Sequence, residues 1–141
     1  MLARVLISLS AAIVLALGTI HLVYTFCGSK LLPRDPAVQA AMSATHLVLT
    51  RETTMWQVWI GFNASHSLGT ILFGLVYGYL ALAHPGLLFQ SWYLLAVGLC
   101  VLGTYLLLAK LYWFSIPFAG ILLAFACYLA GVVVALLGSR T

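Results

Sequence analysis

Residues 55–83 read MWQVWIGFNASHSLGTILFGLVYGYLALA, and residues 92–109 read WYLLAVGLCVLGTYLLLA. Both runs lie in an interval from Thr53 to Ala109 that contains no Asp, Glu, Lys or Arg. A transmembrane helix needs roughly 20 predominantly apolar residues to cross the hydrocarbon core of a bilayer. The interval is long enough for two such helices and lacks the charges that a water-exposed surface carries, so it predicts a membrane protein.

The composition of the whole chain agrees with that prediction. Of its 141 residues, 65% are hydrophobic and only 6% are charged, whereas soluble domains have about 25% charged residues. This excludes a soluble enzyme and a disordered segment. The net charge of +4 comes from bases scattered over the ends and loops. Nucleic-acid binding needs clustered bases, so no nucleic-acid partner is expected.

Four membrane spans are predicted. His84-Pro85-Gly86 divides the uncharged interval into two spans, because Pro and Gly interrupt helices, and one further apolar run lies on each side of it. The first run exceeds the apolar part of a signal peptide and precedes no small-x-small cleavage site, so we interpret it as a retained span. Lipid admits only helices or closed barrels, and no strand alternation is visible. We therefore predict an all-α integral membrane protein, a single membrane domain (1–141) containing a four-transmembrane-helix bundle, with spans at about 6–26, 55–83, 92–109 and 116–137.

The first loop has a helix signal of its own. Asp35 followed by Pro36 is typical of an N-cap and a first helical residue. From there, apolar and polar residues separate onto opposite helical faces, with Val38, Met42 and Leu49 on the apolar one. The pattern predicts a short amphipathic helix over about 36–49, either a plain surface helix or a lid over the bundle.

The even number of spans predicts that both termini lie on the same side of the membrane. Basic residues favour the cytoplasmic side, and the first and third loops have more of them than the termini do. This difference favours an orientation in a bacterial inner membrane with the first and third loops in the cytoplasm and both termini outside the cell. The bases counted are Lys30, Arg34, Arg51 and Lys110 in the loops, against Arg4 and Arg140 at the ends. The three cysteines, Cys27, Cys100 and Cys127, have no spacing typical of a disulfide framework or a metal site.

Small residues recur every four positions in the second span, at Gly61, Ser65 and Gly69, and again at Gly74 and Gly78. Such rows let helix backbones approach closely inside a membrane. Two interpretations stay open: packing within one bundle, which we favour, or a homo-oligomer interface through the first three positions.

Polar groups inside a span are expensive and mark candidate functional sites. His21 lies in the first span and His66 deep in the second. Around His66, Trp59, Asn63 and Thr70 recur at helical spacing, so they share its face. We expect that face to point into the bundle. His21, Asn63 and His66 would line a polar ligand site there, with Trp59 and Thr70 on the same face and His46 closing it from the first loop.

Four functions fit this arrangement. Neutral imidazole is the commonest metal ligand, so His21, His66, His46 and Glu52 are candidates for a metal or haem site. Histidine and Glu52 could exchange protons with a lipid-soluble substrate in an enzyme. The face could bind or transport a small apolar ligand. Finally, the histidines could only hold helices together in a structural or accessory subunit. We predict a small-molecule- or cofactor-binding membrane protein; the sequence identifies neither the cofactor nor a catalytic residue.

Three segments carry a resemblance to a known kind of protein. They are Gly18-Thr19-Ile20-His21, Thr53-Thr54-Met55-Trp56, and residues 61–69, GFNASHSLG. The pattern resembles that of small four-span membrane proteins of bacteria and extends over most of the chain. No activity is attached to those proteins, so the resemblance implies a fold and a bacterial membrane location but no function.

Overall fold

The computed structural model describes residues 1–138, which form six α-helices and no strand. Four of these helices are long and apolar enough to cross a membrane, and two are short. The predicted all-α, four-span bundle with a helix in its first loop is thereby confirmed, and the chain is a multi-pass membrane protein. The long helices are α1 (Leu2–Phe26), α3 (Met55–Ala83), α5 (Trp92–Tyr112) and α6 (Ser115–Gly138); the short ones are α2 (Pro36–Ala44) and α4 (Pro85–Gln90).

The ends of the spans lie close to the predicted positions. Helix α1 begins at Leu2, four residues before the predicted start, and so takes in a basic residue. The Arg4 guanidinium donates to the carbonyl oxygen of Leu82 at 2.6 Å, which satisfies the charged group at the end of the span. Helix α5 continues to Tyr112 and ends because Trp113 adopts an extended conformation, with φ −107° and ψ 163°.

The segment predicted as a turn between the second and third spans also contains a short helix. Pro85 is its first residue, where the missing N–H of proline costs nothing. Leu88 is fully buried, so α4 packs one side chain into the core. The Ser91 hydroxyl then accepts from the backbone N–H of Leu94 at 3.3 Å and caps α5.

Residues 1–138 group into two compact units, one made of residues 1–17 and 70 onward and the other of residues 18–69. The largest fully buried side chain in the core of the first unit is that of Tyr128. A Cβ at Gly98 would overlap the Tyr128 hydroxyl, so only glycine leaves room for that ring. The other buried apolar residues of this core are Ile7, Ala11, Val14, Phe73, Tyr77, Ala81, Leu88, Leu95, Leu102, Ala124 and Val132.

Hydrogen bonds between helices supplement this packing. The Tyr77 hydroxyl donates to the carbonyl oxygen of Leu94 at 2.8 Å, and the Tyr128 hydroxyl lies 3.5 Å from the same oxygen. The Ser10 hydroxyl donates to the carbonyl oxygen of Ala124 at 2.7 Å. Each bond satisfies a hydroxyl that would otherwise be costly to bury.

The small residues of α3 differ in what surrounds them. A Cβ at Gly74 would lie 2.7 Å from the Leu15 Cβ and 2.8 Å from the Ala11 carbonyl oxygen, so α1 and α3 are in direct backbone contact there. At Gly78 it would make an ordinary contact with Ala11 at 3.6 Å, and at Gly61 it would meet nothing within 4 Å. Gly74 and Gly78 therefore pack against α1, whereas Gly61 leaves an open surface.

Helix α2, in the first loop, begins at the predicted residue and ends earlier than predicted. The Asp35 carboxylate accepts from the backbone N–H of Ala37 at 2.9 Å and caps α2. The helix stops at Ala44, short of the expected 49, because Thr45 is extended and its carbonyl oxygen accepts from the Met55 N–H at 2.9 Å. No α2 side chain is buried in the structure.

Candidate functional site

Three predicted site residues meet within the second unit, and we call them the polar cluster: His21, Asn63 and His66. Counted from the first loop, His21 lies five residues into α1 and His66 eleven residues into α3. At 1.5 Å per residue their backbones differ in depth by about 9 Å. Helical side chains lean toward the N-terminus of their helix. His21 therefore leans deeper and His66 leans toward the loop, and so the rings reach each other.

A chain of hydrogen bonds determines how His21 and Asn63 are oriented. The Asn63 amide Nδ2 donates to the carbonyl oxygen of Trp59 at 2.7 Å. Its other end, Oδ1, lies 3.0 Å from Nε2 of His21. Since Oδ1 has no hydrogen, His21 Nε2–H must be the donor. In the neutral ring the lone pair is then on Nδ1, which is able to accept a hydrogen bond.

His66 stands beside His21 with its ring nearly perpendicular. The ring centroids are 5.6 Å apart and the planes make an angle of 85°, an edge-to-face arrangement of the kind that aromatic rings prefer. Asn63 is buried, whereas both imidazoles are only half-buried by the protein. Part of each imidazole therefore lies at the surface of the protein.

Two hydroxyl groups that the sequence analysis did not include support the cluster. Thr25 Oγ1 donates to the carbonyl oxygen of His21 at 2.8 Å, and Ser67 Oγ donates to that of Asn63 at 2.8 Å. Both side chains are buried. Each follows its site residue by four positions, a spacing that places the two side chains on the same helical face. That spacing is the sequence signal from which Thr25 and Ser67 could have been predicted.

The other predicted site residues have different surroundings. Trp59 contributes its carbonyl oxygen to Asn63, while its side chain is 41% exposed. Thr70 is buried and belongs to the first unit. His46 is exposed, and its Nδ1 lies 3.1 Å from the Thr53 carbonyl oxygen. That contact and the bridge between His46 and Thr54 fasten the end of the first loop to the start of α3.

The candidates for a metal site are only partly brought together. His21 and His66 are neighbours, whereas Glu52 is exposed on the loop that His46 closes. Within residues 1–138, no group of three or more His, Cys, Asp or Glu side chains is arranged to hold a metal ion. Structural and catalytic zinc sites have three or four protein ligands. His21 and His66 are the part of the candidate set that lies together among the described residues.

The chain was also compared with known proteins, and no protein-family model, no characterised protein and no solved structure matched it.

Proposed function

We propose that the chain is a membrane protein that binds a small, lipid-soluble molecule at the polar cluster. The observation that carries this proposal is the pair of half-buried imidazoles inside the spans, with His21 fixed by Asn63 and His66 at its edge. The His21–Asn63 hydrogen bond links α1 to α3. His66 places a second imidazole beside His21, and polar side chains within a span are costly and mark candidate functional sites.

The orientation of His21 indicates the class of ligand. Because Nε2–H is used by Asn63, the neutral ring presents an acceptor at Nδ1. The matching ligand carries a hydroxyl or another hydrogen-bond donor on an otherwise apolar body. An apolar body reaches a site within the spans through the bilayer, and polar groups placed at a few positions then fix its orientation. Catalysis and transport are not needed to account for this arrangement.

The location proposed for this activity is a bacterial inner membrane, with both termini on one side. The exposed surface at Gly61, together with Ser65 and Gly69 one and two turns further along α3, is proposed as a contact between copies of the chain. Binding at the polar cluster does not depend on that contact, because the cluster lies within one chain.

The test is to purify the unmodified chain in a mild detergent, record its native mass spectrum and identify any released small molecule. We expect a bound species with a hydroxyl or similar donor group. His66→Gln and Asn63→Leu should each reduce its occupancy at least tenfold while the helical content stays unchanged. His46→Gln should have a partial effect, because His46 holds the loop beside the start of α3.

His84→Gln is the matched control. It makes the same chemical change at an exposed histidine whose Nε2 is 3.0 Å from the Tyr79 hydroxyl, outside the cluster. Occupancy should be unaffected by it. If the unmodified chain carries no bound molecule, the ligand proposal is wrong. Cluster variants that then melt at a lower temperature would show that the histidines serve only to hold helices together.

A further inference from the structure

The α5–α6 hairpin has a groove lined by residues of both helices. The groove has a volume of about 400 Å³ and, with one exception, apolar lining. The exception is Lys110, the only charged side chain between Glu52 and Arg140. The lining residues are Gly103, Leu106, Leu107, Lys110, Phe118 and Leu122.

The position of Lys110 indicates where the groove lies relative to the membrane. It lies in the last turn of α5, and α6 begins after a two-residue connection, Trp113-Phe114. This end of the hairpin is therefore at the membrane–water interface. The Lys110 ammonium stands 5.5 Å from the centroid of the Phe118 ring, close enough for a cation–π contact, and both residues line the groove.

The groove is long enough for the headgroup-proximal part of a lipid acyl chain. From Lys110 the lining extends seven residues along α5 to Gly103, which is about 10 Å into the hydrocarbon region. Gly103 lacks a side chain, and a Cβ there would meet only Phe125, at 3.7 Å. A water-soluble anion would gain nothing from such an apolar groove, whereas an acyl chain would bury apolar surface in it.

We infer that this groove is a binding site for an anionic phospholipid, whose phosphate pairs with Lys110 while one acyl chain lies between α5 and α6. Basic residues at the ends of spans attract anionic headgroups, and pockets between transmembrane helices bind them. The inference is independent of the polar cluster, since it concerns the first unit only and uses none of the cluster residues.

The test is native mass spectrometry of the full chain in detergent, with dioleoyl phosphatidylglycerol or dioleoyl phosphatidylcholine added at equal concentration. We expect the anionic lipid to bind more tightly. Lys110→Gln should weaken its binding about fivefold, the factor that roughly 1 kcal/mol per basic residue near an anionic surface corresponds to. Gly103→Leu places a side chain in the groove and should weaken the binding of both lipids. Leu107→Phe should do the same, because it adds volume at an exposed position of the lining.

Lys30→Gln is the matched control, because it removes one positive charge from an exposed position in the first loop. It should leave lipid binding unchanged. Equal affinity for the two lipids would overturn the inference. Equal losses of affinity for the anionic lipid in Lys110→Gln and Lys30→Gln would also overturn it, because they would show that positive charge attracts the lipid without a specific site. A dimer that Lys110→Gln disrupts, with no lipid retained, would also overturn it in favour of a second copy in the groove.

Discussion

The hydrogen bond between His21 and Asn63 can be measured by a double-mutant cycle with His21→Phe and Asn63→Leu. Asn63→Leu keeps the number and branching of the side-chain heavy atoms but removes the acceptor for His21 Nε2–H and the donor to the Trp59 carbonyl oxygen. Hydrogen bonds between membrane helices average roughly 0.6 kcal/mol and reach about 1.7. A buried donor left unsatisfied costs about 1–3 kcal/mol. Since Asn63 is buried and His21 half-buried, Asn63→Leu should lower the free energy of unfolding by about 1–2 kcal/mol.

The assay is reversible unfolding in mixed micelles, followed by circular dichroism, for the unmodified chain, both single variants and the double variant. Because the two side chains share one bond, the double variant should lose less stability than the sum of the single losses, with a coupling energy of about 0.6–1.7 kcal/mol. Strictly additive losses, within the roughly 0.3–0.5 kcal/mol expected of independent sites, would refute the bond and the His21 orientation derived from it.

Two further predictions concern packing and topology. Gly74→Ala should destabilise the chain by about 1–3 kcal/mol in the same assay, the usual cost of overpacking, because its Cβ would overlap α1. Gly61→Ala, on the same helix with open space around it, should not destabilise the chain. Equal effects of the two substitutions would mean that the contact between α1 and α3 is misplaced. Reporter fusions at Met1 and after residue 141 should report the same compartment, since four helices span the membrane; opposite compartments would show that one of the four does not cross.

The spans could be predicted because their signal is local. A run of about 20 apolar residues is recognisable without knowing what it packs against, and the Met55–Ala83 helix has the predicted bounds. The start of α2 was equally predictable from Asp35 and Pro36. Its end was not, because that end depends on Thr45 pairing with Met55, a contact that helical periodicity does not contain.

The candidate site was predicted in part for the same reason. Spacing placed Asn63 and His66 on one face, but the meeting of His66 with His21 depends on the lean of side chains on two helices of opposite direction. Which end of the Asn63 amide faces His21 follows only from the Trp59 carbonyl oxygen. The core position of Tyr128 could not be predicted from the sequence either, because it depends on Gly98 of another helix.

The most direct test of the ligand site is the ¹⁵N spectrum of the His21 ring in the chain reconstituted in bilayers, assigned by the signal lost in His21→Gln. We predict a proton on Nε2 and a lone pair on Nδ1, and a shift of the Nδ1 resonance when exhaustive detergent exchange removes the co-purifying molecule, since its hydroxyl no longer donates there. A proton on Nδ1 in the neutral ring, or an Nδ1 resonance that does not move after that removal, would contradict the account.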